Sequence, residues 1–213
     1  MSDQLGRVRV DPATRRFGQG GRQVLGGSPR RLFRLTDVGA ALLDQLGAGR
    51  RLAATQGRTE LVGRLVDAGV LHPDPPVGAG PFGAADVTLV VPVRDRATGV
   101  EGLLASVARA GPMPARVVVV DDGSQDPAAL VRAVERVRHA WDGVPIEIVR
   151  RPAAGGPAAA RTEGLGRVVT PLVAFVDSDC AVTDAWLGLL VAAFEDPRVA
   201  LVAPRVRSAS IPG

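Results

Sequence analysis

The spacing of hydrophobic positions changes near residue 80 of the chain. Upstream, apolar residues recur three and four positions apart in two segments, which predicts two short amphipathic helices. Downstream, five apolar runs rich in valine alternate with helix-like segments. Such runs are typical of parallel strands that are buried on both faces of a sheet. The pattern therefore predicts a small upstream α+β domain and a larger downstream α/β domain.

The stretch between the two patterns, residues 72–81, is rich in proline and glycine, which break regular elements. We therefore divide the chain into a domain of residues 1–75, a linker of residues 76–84 and a domain of residues 85–213.

The upstream domain is predicted to be winged-helix-like. Thr36 is a candidate N-cap for a helix that ends near Leu46. The apolar spacing predicts that this helix buries Val38, Ala41, Leu42 and Leu46. The other predicted elements are a helix at residues 59–68 and strands at residues 8–10, 32–35 and 70–71, with the glycine-rich residues 18–27 dividing the first two strands.

The downstream domain is predicted to be a mostly parallel, Rossmann-like sheet with helices on both faces. Its predicted strands are residues 87–93, 116–120, 146–149, 171–176 and 199–203. Its predicted helices are residues 100–109, 127–138, 157–167 and 185–194. Ligands of such sheets bind beyond the carboxyl ends of the strands.

Two acidic motifs follow predicted strands. Asp177 and Asp179 are separated by one residue, so in an extended segment they point the same way and can face one cation. Their oxygens suit Mg²⁺ or Mn²⁺. Asp121 and Asp122 are candidates to accept hydrogen bonds from a nucleobase edge or a ribose hydroxyl. The alternative for both motifs is ordinary turn and helix-cap chemistry.

An arginine on the third downstream helix is a further candidate. Gly155, Gly156 and Pro157 open this helix, and backbone N–H groups at a helix N-terminus attract phosphate. Arg161 follows about one turn later, where it can reach an anion or brace a carboxylate. The alternative is an ordinary surface arginine.

Composition narrows the classes of partner. All 26 basic side chains are arginines, and residues 1–75 hold 12 of them against seven acidic side chains. The outer face of the second upstream helix nevertheless mixes signs, with Arg58, Glu60, Arg64 and Asp67. Mixed signs argue against phosphate contacts, so we do not expect nucleic acid as a partner. Peptide docking or a structural role is expected for residues 1–75.

The single cysteine, Cys180, cannot form an internal disulfide, which fits a reducing compartment. No N-terminal apolar stretch has the form of a signal peptide, and no run approaches the length of a membrane span. We expect a cytoplasmic protein without a transmembrane segment; peripheral association with a membrane is the alternative.

Four motifs, taken in order, resemble those of family 2 glycosyltransferases of the GT-A fold. They are residues 91–95, 119–124, 156–161 and 175–179. The match covers roughly residues 85–210. With residues 26–35 and 67–73 included, the whole chain is similar to the N-terminal part of the mycofactocin-system glycosyltransferases. Those actinobacterial enzymes attach glucose units to a redox cofactor derived from a ribosomal peptide.

The resemblance implies a UDP-sugar donor, bound with Mn²⁺ or Mg²⁺, and a peptide-derived acceptor. By position, the resemblance implies that Pro92 and Val93 line the base pocket, that Asp122 contacts the uracil and that Arg161 supports the nucleoside. It also implies that Asp177 lies near the ribose and the metal, and that Asp179 is a metal ligand.

The reaction implied is inverting transfer of a sugar, glucose from UDP-glucose, to mycofactocin or its precursor. The family's general base has no counterpart in the sequence, so we expect it beyond Gly213 and leave the catalytic residues unassigned. The chain is then a truncated donor-binding half, inactive alone. The alternatives are a non-catalytic nucleotide-sugar or peptide-binding fragment and a family 2 transferase that acts on a cell-envelope polysaccharide.

Other enzyme classes fit less well. A phosphorylated receiver domain requires a lysine, and the chain has none. A dinucleotide-dependent dehydrogenase requires a G-x-G-x-x-G turn after the first strand, which is absent here.

Overall fold

The chain divides into two compact units, Met1–Pro76 and Val77–Gly213. The computed structural model describes residues 4–76, 78, 80–204 and 206–208. Two residues of the predicted linker, Val77 and Ala79, therefore lie outside the described residues, as do residues 205 and 209–213 of the predicted downstream domain.

Among its described residues, the first unit contains two α-helices and two small antiparallel sheets. Its elements are β1 (Val8–Val10), β2 (Arg15–Phe17), β3 (Gln23–Gly26), β4 (Arg31–Arg34), α1 (Asp37–Gly47), α2 (Gln56–Asp67) and β5 (Leu71–Pro73). Strand β1 pairs with β5, and the second sheet has the order β2-β3-β4. The core consists of Val24 from β3, leucines of α1 and α2, and Val70 with Leu71.

Several details of this unit differ from the sequence-based prediction. Val38 is 79% exposed and Ala41 is also exposed, contrary to the prediction, whereas Leu42 and Leu46 are buried as predicted, together with Leu43. Helix α2 begins at Gln56 rather than residue 59, since Thr55 caps it and its polar first turn adds nothing to the apolar pattern. The glycine-rich stretch contains β3, which sequence reasoning missed.

The second unit is an α/β sheet of four parallel strands in the order β8-β7-β6-β9. Its elements are β6 (Val87–Val93), α3 (Ala97–Ala110), β7 (Arg116–Asp121), α4 (Pro127–Val137), β8 (Ile146–Arg150), α5 (Gly156–Leu165), β9 (Leu172–Phe175) and α6 (Trp186–Ala192). The predicted α/β class and the alternation of strands and helices are confirmed.

Helices cover both faces of this sheet. Every residue of β6 is buried, because β6 lies between two strands and two layers of helix. One face packs against α3, α4 and α6 in the larger core. The other face packs against α5, where an added Cβ at Gly164 would collide with Val90 of β6. Glycine at this position lets α5 lie directly on the sheet.

The predicted fifth strand, residues 199–203, is wrong. These residues form no strand, and Leu201 is 80% exposed. A strand is stabilised by a hydrogen-bonded neighbour, and within the described residues the sheet ends at β8 and β9. A further structural finding is that no helix of the described residues is long and apolar enough to cross a membrane.

Candidate functional site

The chain order of the strands creates a crevice at the carboxyl edge of the sheet. The path runs outward from β6 to β7 and β8, and then returns to place β9 on the opposite side of β6. This reversal is a topological switch point, the usual ligand position in open α/β sheets. The residues that follow β6, β7 and β9 therefore converge on the same edge, as the acidic motifs predicted.

Asp122, directly after β7, is buried and fully engaged in holding the start of α5. Its carboxylate accepts hydrogen bonds from the backbone N–H of Gly155 at 2.9 Å and of Gly156 at 2.7 Å, and it forms an ion pair with Arg151. Burial alone would raise its pKa, but the two backbone hydrogen bonds together with Arg151 lower the pKa of Asp122 below its ordinary value. The N–H groups expected to attract a phosphate are thus already occupied by this carboxylate.

Asp121 supports the loop that follows β7. Its carboxylate is 1% exposed, pairs with Arg150 at 2.6 Å and accepts the backbone N–H of Ser124 at 2.8 Å. It is not among the residues that line the crevice. Of the two predicted carboxylates at the end of β7, Asp121 and Asp122, the structure brings only Asp122 to the crevice.

The loop after β6 is fixed to the loop after β7. The backbone N–H of Asp95 donates to the Ser124 hydroxyl at 2.9 Å, and the Asp95 carboxylate accepts the N–H of Gln125 at 2.7 Å. Asp95 has a φ of 54°, an unusual conformation for a residue with a side chain. These contacts fix the course of the backbone between Pro92 and α3.

The two carboxylates after β9 each contact an arginine. Arg161 of α5 donates to Asp177, and Arg96 donates to Asp179 at 2.8 Å. Both acidic side chains remain more than half exposed, 56% for Asp177 and 59% for Asp179. The prediction missed Arg96, because in an arginine-rich chain nothing in the local sequence distinguishes it.

The turn that carries these carboxylates rests on α3. An added Cβ at Gly99 would lie 2.5 Å from the carbonyl oxygen of Ser178 and 3.8 Å from the Cβ of Arg96. Real Cβ atoms do not approach a backbone oxygen so closely. Glycine at position 99 therefore sets the position of the turn between Asp177 and Asp179.

These side chains surround an open cavity of about 340 Å³. Its lining includes Pro92 and Val93 from β6, Asp122, Arg161, Asp177 and Asp179, which are six of the seven predicted site residues. It also includes Arg94 and Arg96. The volume lies in the range of small-molecule sites, and the mixture of apolar floor and charged rim is typical of them.

Cys180 follows the acidic turn but is not activated. Burial, with added repulsion from the charges of Asp179 and Asp177, raises the pKa of its thiol. A raised pKa keeps the sulfur protonated near neutral pH, so Cys180 lacks the properties of a nucleophile.

Asp177 and Asp179, the carboxylates after β9, are suitable ligands for the divalent cation that the resemblance implies. Among the residues that the structure describes, no three His, Cys, Asp or Glu side chains are grouped closely enough to hold a metal by themselves. Mg²⁺ and Mn²⁺ sites in phosphate-binding enzymes commonly use one or two carboxylates, and substrate phosphates and water supply the remaining ligands. Asp177 and Asp179, exposed on one cavity, form such a donor set.

Comparison with protein families agrees with this geometry. The model of the family described as "Glycosyl transferase family 2" matches residues 88–212, more than half of the chain. The chain belongs to glycosyl transferase family 2. The match extends from the second residue of β6 through α6 and includes every residue of the predicted site.

Two relatives extend the similarity of this family 2 chain into its first unit. Both are called "Pre-mycofactocin glycosyltransferase", from Mycobacterium tuberculosis strains CDC 1551 / Oshkosh and ATCC 25618 / H37Rv, and each is 42% identical over 201 residues. The aligned region is 94% of this chain but 39% of each relative, so the chain spans about two fifths of their length. A "Succinoglycan biosynthesis protein ExoU" from Rhizobium meliloti (strain 1021) is 37% identical over 95 residues, 44% of this chain and 26% of that protein.

A solved structure shows the same fold. The mannosyltransferase PcManGT from Pyrobaculum calidifontis, determined in complex with GDP-Man and Mn²⁺, superimposes with a TM-score of 0.50 and 25% identity. The superposition covers 60% of this family 2 chain and 37% of the mannosyltransferase. The predicted GT-A type of fold is confirmed.

Proposed function

We propose that the second unit is the donor-binding half of a metal-dependent, inverting glycosyltransferase that uses a UDP-sugar, with UDP-glucose as the donor. The observation that carries this proposal is the convergence of Asp122, Arg161, Asp177 and Asp179 on one cavity at the switch point of a family 2 sheet.

The cavity has suitable groups for each part of a nucleotide sugar. Pro92 and Val93 form an apolar surface against which a base can pack. An ionised carboxylate offers about four acceptor positions, and Asp122 uses them for Gly155, Gly156 and Arg151. The N–H of Gly155 contacts both oxygens, so an N–H on the edge of a nucleobase would share this carboxylate with the donors already present.

The opposite side of the cavity suits the diphosphate. Asp179, with Asp177 beside it, would hold Mn²⁺ or Mg²⁺, and Arg161 keeps Asp177 in position. When bound, such an ion acts as a Lewis acid that stabilises negative charge on a departing nucleoside diphosphate. The mannosyltransferase with the same fold was solved with GDP-Man and Mn²⁺, which supports a nucleotide sugar and a metal as ligands.

The acceptor is proposed from the relatives. Their name, pre-mycofactocin glycosyltransferase, supports a peptide-derived redox cofactor or its precursor as the acceptor. The shorter match to a succinoglycan biosynthesis protein supports the alternative of a polysaccharide acceptor. The proposal assigns no general base, since the carboxylates of the cavity are committed to arginines and to the start of α5.

The test is calorimetric titration of UDP-glucose into the purified chain, with Mn²⁺ and with EDTA. We expect binding that requires Mn²⁺ and that falls at least tenfold in Asp179→Ala, because this change removes a metal ligand. The matched control is Asp126→Ala, which removes an exposed carboxylate that is at the same edge of the sheet but outside the donor cavity.

Equal binding in Mn²⁺ and EDTA would contradict the metal-dependent part of this proposal. A folded chain that binds GDP-mannose but no UDP-sugar would contradict the choice of donor. Loss of binding in both aspartate variants would show that Asp179 has no special role.

The first unit has a surface that suits peptide docking, which we propose as its role. On the β2-β3-β4 sheet, the pairing places Arg15, Leu25 and Leu32 in one row and Phe17, Gln23 and Arg34 in the next, all on one face. We call these six residues the outer sheet face. Phe17 and Leu32 are 41% and 52% exposed, and the face has two arginines and no acidic residue.

The charge and apolar character of the outer sheet face favour a peptide that alternates acidic and apolar side chains. We expect a short fluorescent peptide of alternating glutamate and leucine to bind, and binding to weaken at least threefold in Leu32→Ser. Val38→Ser is the control, because Val38 is an apolar residue of the same unit that lies on α1 and is even more exposed than Leu32. Equal weakening in both variants, measured by fluorescence anisotropy, would contradict docking at this face.

A further inference from the structure

Arg96 is placed between two carboxyl-edge cavities and holds one of the proposed metal ligands. It lines the donor cavity and also a second cavity of about 350 Å³ between the starts of α3 and α4. Its Nη1 donates to the Oδ2 of Asp179 at 2.8 Å. The two side chains are 61% and 59% exposed. Exposed ion pairs of this kind contribute little to stability, so this contact is easily exchanged.

Asp179 cannot bind Arg96 and a divalent cation at the same time without electrostatic repulsion between these two positive charges. If Asp179 binds a divalent cation, the guanidinium of Arg96 lies within a few ångströms of that cation and is repelled by it. A diphosphate between them removes the conflict, because a guanidinium binds phosphate oxygens with charge-assisted, bidentate hydrogen bonds. The open donor cavity gives Arg96 room for this movement.

We propose that Arg96 is a donor-binding residue that changes partner: it pairs with Asp179 in the empty site and binds the diphosphate when a metal takes Asp179. This inference rests on the proposed function of the cavity. It assigns to Arg96 a role that the four motifs of the family resemblance do not include.

The exchange predicts two effects of opposite sign. Because Arg96 competes with the metal for Asp179, its removal strengthens binding of the metal alone. Because Arg96 also contacts the diphosphate, its removal weakens binding of a nucleoside diphosphate in the presence of metal. The arginine therefore couples the two ligands, and coupling of this kind is reciprocal. A residue with a purely structural role would shift both affinities in the same direction or neither.

The experiment compares Arg96→Gln with Arg132→Gln in the full chain. Arg132 forms an exposed ion pair with Asp126 at 3.1 Å, and the exposures of 60% and 62% match those of the Arg96 pair. Binding of Mn²⁺ alone is measured by electron paramagnetic resonance of the free ion. Binding of UDP with Mn²⁺, and of uridine as a ligand without phosphates, is measured by calorimetry.

For Arg96→Gln we expect Mn²⁺ alone to bind at least twofold tighter, UDP with Mn²⁺ to bind at least tenfold weaker, and uridine to bind as in the parent chain. Arg132→Gln is expected to match the parent in all three titrations. Opposite signs for Mn²⁺ and UDP support the exchange.

Two results would overturn the inference, and they can be distinguished. If the parent binds UDP with Mn²⁺ but Arg96→Gln leaves both affinities unchanged or weakens both, the exchange is wrong and the proposed function stands. If the parent binds Mn²⁺ but neither UDP nor uridine, the proposed function fails and the role of Arg96 fails with it.

Discussion

Replacing Asp122 by asparagine is expected to destabilise the second unit by about 3 kcal/mol, because it leaves a partly buried arginine and two backbone N–H groups without their anionic partner. The carboxylate accepts N–H groups of Gly155 and Gly156 and pairs with Arg151, all at the start of α5. Urea unfolding followed by tryptophan fluorescence measures this loss directly. Both tryptophans of the chain, Trp141 and Trp186, are buried in the core of this unit.

The control is Asp126→Asn, at the start of α4. Asp126 also accepts a backbone N–H of a helix, from Ala129, and also pairs with an arginine, but it is exposed. Its replacement is expected to have a clearly smaller effect, since water can satisfy the freed groups. Equal losses in the two variants would mean that the burial of Asp122 adds nothing to its role.

Asp122→Asn should also change how the free energy of unfolding depends on pH. The pKa of Asp122 is lowered in the folded chain relative to an unperturbed aspartate of about 3.9. Its contribution is therefore complete above about pH 4 and is lost as the pH falls through the folded-state value. The unfolding free energy of Asp122→Asn should fall less steeply below pH 4 than that of the parent; parallel curves would contradict this assignment.

Replacing Gly99 by alanine is expected to weaken Mn²⁺-dependent UDP binding about tenfold or more, since displacements near 1 Å in a preorganised site can cost factors of this size. The added Cβ would lie 2.5 Å from the carbonyl oxygen of Ser178, so the turn between Asp177 and Asp179 must move. A stability loss of about 1–3 kcal/mol is expected from the overpacking. Calorimetry of UDP with Mn²⁺, together with urea unfolding, separates the two effects.

Gly102→Ala provides a matched control on the same helix. No atom lies within 4 Å of a Cβ added at Gly102, and this residue is exposed. The change should stabilise α3 by up to about 1 kcal/mol through helix propensity and should leave ligand binding intact. If both alanine variants bind UDP like the parent, the contact between α3 and the acidic turn does not position the site.

The sheet of the second unit was predictable because its strands are nearly uniform in the sequence. The run 87–93 is apolar enough that both of its bounds were predicted correctly, and the helix after Asp126 carries an N-cap and a proline at its start. Where two faces compete, as in α1, spacing alone did not decide which one is buried, and Val38 was assigned to the wrong side. The apolar residues 199–203 show that composition without a neighbouring strand does not make a strand.

The chemistry of the site was predictable by residue type but not by contact. Six predicted residues line one cavity, since the carboxyl ends of parallel strands meet at one edge. The partner of Asp122 could not be predicted, because the N–H groups of Gly155 and Gly156 lie more than 30 positions away in the sequence. The contact of Arg96 with Asp179 spans 83 positions and depends on the packing of α3 against the turn after β9.

Helix α5 is fixed at both ends, by Asp122 at its first residues and by the contact of Gly164 with Val90. Contacts at both ends oppose rotation of the helix about its axis, and each residue of a helix advances it by about 100° around that axis. The direction in which Arg161 points, toward Asp177, is therefore set by the number of residues between Gly156 and Arg161. Insertion or deletion of one residue between these two positions would turn the guanidinium away from the cavity. Directed evolution of this site can vary the exposed side chains of α5 but has to preserve the spacing between Gly156 and Arg161, and glycine at position 164.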